Sequence, residues 1–204
     1  MIRVNIWSND LCLETEETLF SPKNPDAGTI AMLSLVNLKQ DDKVMDLGCG
    51  YGIVGIAAAK VIGAQNIFMV DIDRKAVETS KKNAIVNGVS DVTILCGNGV
   101  APFKDKDFSL ILSNPPYHVD FAVPKAFIES GFRALKVGGR MIMVVKRLDW
   151  YKNKLTTIFG GVRVSEIDGY YVLTAEKRNI STIKDKPKKT TKKHEKRMAL
   201  SKKK

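Results

Sequence analysis

The stretch from residue 43 to residue 62 limits what this chain can become. Lys43-Val44-Met45-Asp46-Leu47 is an apolar run of strand length, and residues 53–62 form an apolar run of helix length. Between them Gly48, Gly50 and Gly52 alternate with single residues. Turning a strand into a helix in so few residues requires backbone conformations open to glycine. Both flanking runs are apolar without alternation, so both must be covered on all sides, which is the habit of a parallel sheet layered by helices.

The same alternation continues downstream. Residues 66–71 read as a second buried strand. Residues 74–87 read as an amphipathic helix with Ala76, Val77, Ala84 and Ile85 inward and Gly88 as its stop. Strands follow at 92–95, 108–112 and 140–145, with a helix at 122–135 and another at 150–159. Two last strands, 162–167 and 170–175, flank Asp168-Gly169, a strong signal for a two-residue hairpin. Upstream, the alternating segment within 3–20 reads as a short hairpin and 21–28 is rich in turn residues. Ile30, Leu33, Leu35 (or Ser34), Val36 and Leu38 outline a helix face. The expected fold is α/β: a mostly parallel sheet with an antiparallel last strand and helices on both faces. Ligands of such sheets bind at the carboxyl ends of the strands, near the switch point.

Charge divides the chain. The net charge is +11, and residues 177–204 hold 13 basic and 2 acidic residues. The remaining 20 basic and 20 acidic residues of 1–176 cancel. The expected organisation is therefore a neutral globular domain, 1–176, and a basic tail, 177–204. The tail fits a polyanionic partner such as RNA, DNA or an acidic membrane, or serves only solubility. No apolar run approaches the ~18 residues of a membrane span, and no secretory signal is visible. Cys12, Cys49 and Cys96 are odd in number and far apart. They fit a reducing, cytoplasmic setting and give no disulfide framework or zinc spacing, so no metal is expected.

Two motifs carry chemistry. Gly50-Tyr51-Gly52-Ile53-Val54-Gly55 matches the dinucleotide pattern G-x-G-x-x-G, with the acid Asp71 about 20 residues on. Asp46 argues otherwise, because a carboxylate at this strand end repels a pyrophosphate. A donor carrying a sulfonium and an ammonium, such as S-adenosylmethionine, is favoured there instead. Asp71, with Ile72 beside it, is placed to accept from both ribose hydroxyls, and Asn98 to meet the adenine. The competing reading makes Asp46 and Asp71 simple helix-capping acids around a tight turn. The second motif is Asn114-Pro115-Pro116-Tyr117, followed by His118. Pro115 holds Asn114 extended, and the two prolines remove two N–H donors. The result is a stiff rim of acceptors suited to a planar NH₂ group, with Tyr117 offering a stacking face. Its competing reading is a rigid surface turn with a packed tyrosine. His118 either contacts the target or only shapes the loop.

Asp46 to Gly52 together with Asn114 to Tyr117 resembles class I S-adenosylmethionine-dependent methyltransferases that act on amino nitrogens. Asp26-Ala27-Gly28-Thr29 and Gly169-Tyr170-Tyr171-Val172-Leu173 are similar to the "methyltransferase small domain" group, which includes bacterial 16S ribosomal RNA guanine-N2 methyltransferases. The resemblance implies a Rossmann-like sheet of seven strands and S-adenosylmethionine as cofactor. It implies a donor site of Gly28, Thr29, Asp46, Gly48, Cys49, Gly50, Gly52, Asp71, Ile72, Asn98 and Asn114. It implies a catalytic loop of Asn114, Pro115, Pro116 and Tyr117. It departs from the pattern in two ways: no degenerate second half precedes the catalytic one, and the basic tail is extra. The expected activity is methylation of guanine N2 in ribosomal RNA, with ribosomal RNA or a subunit as partner. The alternatives are adenine N6 in RNA or DNA, a protein glutamine side chain, or a non-catalytic RNA-binding assembly factor.

Overall fold

The computed structural model describes residues 1–16, 24–103, 107–116 and 121–178. Tyr117, His118 and the basic tail from residue 179 lie outside the described residues. The chain opens with a hairpin of β1 (Ile2–Ile6) and β2 (Asn9–Leu13). Next come α1 (Ala27–Leu35), β3 (Val44–Leu47), α2 (Ile53–Ile62), β4 (Ile67–Asp71), α3 (Arg74–Val86) and β5 (Thr93–Cys96). The order ends with β6 (Phe108–Ser113), α4 (Ala122–Ala134), β7 (Leu135–Val145), α5 (Leu148–Phe159), β8 (Arg163–Ile167) and β9 (Tyr170–Glu176).

Seven of these strands form one sheet in the order β5-β4-β3-β6-β7-β9-β8. β3, β4, β5, β6 and β7 run parallel, and β9 is antiparallel to both β7 and β8. The expected class and the antiparallel last strand therefore stand. That strand lies between β7 and β8, because the Asp168-Gly169 turn folds it back inside the edge. Both turn residues are left-handed, at φ 50° and 76°, as a primed hairpin turn demands. The sheet reverses its winding between β3 and β6, which opens a crevice above their carboxyl ends.

Two apolar layers cover the sheet. One packs Met32, Ile56, Ala57, Ile67, Leu110 and Ile142 with the hairpin, α1, α2 and α3. The other packs Phe108, Ile111, Ile128, Phe132, Met141 and Leu155 with α4 and α5. No helix among the described residues is long and apolar enough to cross a membrane.

Two helix faces differ from expectation. In α1 the buried residues are Gly28, Thr29, Ala31, Met32 and Leu33, while Ile30 and Leu35 are exposed. Asp26 starts this helix by accepting from the Thr29 amide, so it begins and ends earlier than the apolar periodicity indicates. In α3, Ile85 points to solvent and the buried face includes the polar Thr79, Ser80 and Asn83. Asn87 is the capping residue of α3 and is buried as well. These two asparagines act on distant backbone. Asn83 accepts from the Glu14 amide and donates to the carbonyls of Glu14 and Tyr51; Asn87 makes a reciprocal pair with the Cys12 backbone. The hairpin is thus tied to α3 and, through Asn83, to the glycine loop.

Candidate active site

The glycine loop leaves β3 and is pinned to β4. The amides of Gly48 and Cys49 both donate to the Val70 carbonyl, at 2.9 and 3.0 Å. Gly50 sits at φ +56°, and a Cβ there would meet nothing within 4 Å, so the loop presents bare backbone to open space. Gly52 serves packing instead: at φ +95° it starts α2, and a Cβ would lie 2.9 Å from Met69 Cε and Ser80 Oγ.

The two acids are held in different ways. Asp46 is buried at the end of β3, and its Oδ2 accepts from the Gly55 amide in the first turn of α2. Burial pushes its carboxyl up to about 7; the Gly55 bond opposes this shift, and the nearby Asp71 charge adds to it. Asp71, half-buried at the end of β4, accepts from the Gly50 amide through Oδ2 and from the Asp73 amide through Oδ1. Each Asp71 oxygen keeps a second lone pair for a hydroxyl donor.

Across the crevice, Ser113 closes β6 by donating to the Leu47 carbonyl, which fixes where Asn114 begins. The Asn114 amide nitrogen donates to Asp26 Oδ2 and to Thr29 Oγ1, both at 2.8 Å. Both N–H donors are thereby used, and the amide orientation is set. Its Oδ1 is buried and has no hydrogen-bond partner among the described residues. A buried acceptor left this way costs about 1–3 kcal/mol, and its residue stands at the edge of open space.

That space is a cavity of about 490 Å³, within the range of small-molecule sites. Of the predicted residues, Thr29, Asp46, Gly48, Cys49, Gly50, Asp71, Ile72, Asn98, Asn114 and Pro116 line it. Gly28, Gly52 and Pro115 are not lining residues, and Tyr117 lies outside the described residues. Among the lining residues that the sequence reading did not single out, three shape the site. Asp26 clamps Asn114. Tyr51 is buried, and its hydroxyl pKa is pushed up to about 12 by burial and by the Asp26 charge. Phe127 on α4 covers the loop, its ring 3.3 Å from where a Gly48 Cβ would stand. No group of three or more His, Cys, Asp or Glu among the described residues could hold a metal ion.

A family model described as "Methyltransferase small domain" matches residues 10–174. The chain belongs to this family. It is 29% identical over 176 residues to an uncharacterized protein, YbxB, of Bacillus subtilis, covering 83% of this chain and 88% of that one. It is 30% identical over 160 residues to the ribosomal RNA large subunit methyltransferase G of Yersinia pestis. That match covers 75% of this chain and 40% of the relative. Among solved structures, the Thermus thermophilus 16S rRNA N2 G1207 methyltransferase, bound to S-adenosylmethionine and guanosine, superposes with a TM-score of 0.78 at 26% identity. It is matched over 86% of this chain and 50% of its own length. The methyl donor of this small-domain methyltransferase is S-adenosylmethionine. The residues present suit it: a loop of exposed backbone at Gly50, an acid with lone pairs to spare at Asp71, and a cavity of adequate size.

Proposed function

We propose that this methyltransferase modifies the exocyclic amino group of an RNA base, guanine N2 of ribosomal RNA in first place. The observation that carries this reading is the buried Oδ1 of Asn114, without a partner among the described residues, on a residue that lines the cavity. An oriented carbonyl oxygen selects an N–H donor over an edge that offers only acceptors or methyl groups. The solved relative that binds guanosine, and the ribosomal RNA methyltransferase relative, support RNA as substrate. The Lys-rich sequence after residue 178 is consistent with a phosphate-bearing partner.

In this reading Asp71 and the Gly50 backbone hold the donor's ribose side, Ile72 and Asn98 its base, and Asp46 with Thr29 the methionine end. When bound, the donor supplies a methyl group on a sulfonium. The chain's own contribution is positional. Asn114 Oδ1 accepts one N–H of the target amine, turns the nitrogen lone pair toward the cavity and draws it out of conjugation with the ring. Asp26 and Thr29 keep that oxygen pointed inward by occupying both amide hydrogens of Asn114. No strong base is required, since the amine loses its proton only after it has become cationic. Orientation of this kind can supply a large part of a barrier reduction.

The test compares ribosomal RNA from a strain lacking the protein with wild-type RNA as acceptor for labelled donor, followed by nucleoside mass spectrometry. The expected product is N2-methylguanosine, formed only on the unmodified RNA. N6-methyladenosine moves the assignment to adenine. Label in ribosomal protein alone removes RNA from the reading.

A further inference from the structure

On the face of the sheet that carries α1, a second groove lies beyond that helix. Arg140, Arg163, Thr174, Glu176 and Arg178 line it, with a volume of about 440 Å³. The strand register explains the cluster. Arg140 on β7 pairs with Glu176 on β9, and Thr174 on β9 pairs with Arg163 on β8. Positions opposite one another, or two apart on one strand, share a face, so these side chains project together. Asn114 shares that face as well, since Leu110 pairs with Arg140 and Asn114 lies four residues further along the same strand direction. From strand spacing and rise, Asn114 stands about 15–20 Å from the groove.

Three guanidinium groups meet one carboxylate there, and Arg163 and Arg178 are exposed. Arg140 donates to the Asn37 carbonyl beyond α1. Among the described residues no carboxylate forms an ion pair with these arginines. The Lys177 backbone is tied to Gly138 and Gly139 in β7, and the sequence that follows Arg178 is rich in lysine. Arginine forks match phosphate oxygens bidentately, and an uncompensated cluster continuing into a basic segment favours a polyanion over a small acid.

We infer that this groove binds the sugar–phosphate backbone of the substrate RNA, flanking the nucleotide presented to Asn114. The inference rests on the RNA reading above and adds where the strand is gripped. Phosphate contacts fix register while the amine site selects the base. The body's neutral net charge conceals this patch, because the balancing acids lie elsewhere.

The experiment uses the full chain and a single-stranded RNA oligonucleotide of about 20 nucleotides, with affinity measured across a salt series. Arg163→Glu with Arg178→Glu should weaken binding at least ~10-fold at low salt and lower the slope of log K against log salt by ~1.4. Lys81→Glu with Lys82→Glu, exposed on α3, makes the same charge change away from the groove and should move both readings far less. Calorimetric affinity for S-adenosylmethionine should be unchanged in both variants, which also shows that they fold. Equal losses in the two variants, or no loss in the groove variant, overturn the groove as a site and leave the RNA reading standing. A wild-type chain that binds no RNA at any salt overturns the RNA reading, and the groove assignment with it.

Discussion

The two walls of the active-site crevice are built on opposite plans. On the glycine-loop wall, the polar groups that shape the loop are bonded within the protein. Asp46 takes the Gly55 amide, Asp71 takes the amides of Gly50 and Asp73, and Val70 takes those of Gly48 and Cys49. On the Asn114 wall, the amide nitrogen is doubly bonded and the oxygen beside it has no partner among the described residues. The first wall is a finished cradle, whose binding groups are pre-aimed and need little reorganisation. The second wall is finished except for one acceptor. A buried oxygen held without a protein partner is a cost that a substrate donor removes, so its energy is returned where the chemistry occurs.

The largest expected effect tests the unfinished wall. Asn114→Ala should lower kcat by ~10²–10³-fold, the size seen when one preorganised transition-state contact is removed. Its donor affinity should fall far less than its turnover, because Asp71, Gly50 and Asp46 hold the donor from the other wall and Thr29 alone meets it from this one. Equal losses in kcat and donor affinity would merge the two walls into one binding site. Normal turnover would remove the amine site altogether.

A smaller effect tests what holds that oxygen in place. Asp26 Oδ2 accepts from both the Asn114 side chain and the Thr29 amide, so Asp26→Ala loses the clamp and the α1 cap together. Turnover should fall ~10–100-fold, with about 1 kcal/mol of stability lost from the cap. The decisive reading is the double variant. If Asp26 acts only through Asn114, Asp26→Ala with Asn114→Ala should turn over no more slowly than Asn114→Ala alone. A multiplicative loss would give Asp26 a contact of its own with a ligand.

These walls also differ in how far they can be read from sequence. The loop wall is local. Strand, glycines and helix follow one another without a break, and the helix expected at 53–62 is found as Ile53–Ile62. The Asp168-Gly169 hairpin is legible for the same reason, since two adjacent residues settle its turn. The Asn114 wall is assembled from residues 26, 29 and 114, and nothing in periodicity links positions so far apart. Asp26 belongs by sequence to the Asp26-Ala27-Gly28-Thr29 segment that resembles the family, but its bond to Asn114 exists only because β6 ends beside α1. Asn83 and Asn87 were missed similarly. Hydropathy assigns asparagine to the surface, and only docking of residues 12–14 gives these two their backbone partners. Ile85, inward by apolar spacing, faces solvent for the complementary reason: it lies one position off the face that those asparagines define.

The smallest expected effect concerns the finished wall and depends on pH. The Asp46 carboxyl is raised to about 7 by burial, so it is half protonated near neutrality when the cavity holds no cation. A donor bearing positive charge favours the ionised form and must displace that proton below pH 7. Donor affinity should therefore weaken ~10-fold between pH 8 and pH 6 and be nearly flat above pH 8, with proton release seen by calorimetry in buffers of different ionisation heat. The stability sign runs the other way. A carboxyl raised in the folded state stabilises fully below its unfolded value of 3.8, and that contribution is lost as pH rises through about 7. Without donor, Asp46→Asn should therefore melt above wild type at pH 8, and the gap should close toward pH 5. The same variant should bind donor more weakly and with no pH dependence between 6 and 8. A variant that keeps the wild-type pH profile would assign the titration to another group and leave Asp46 as a cap for α2.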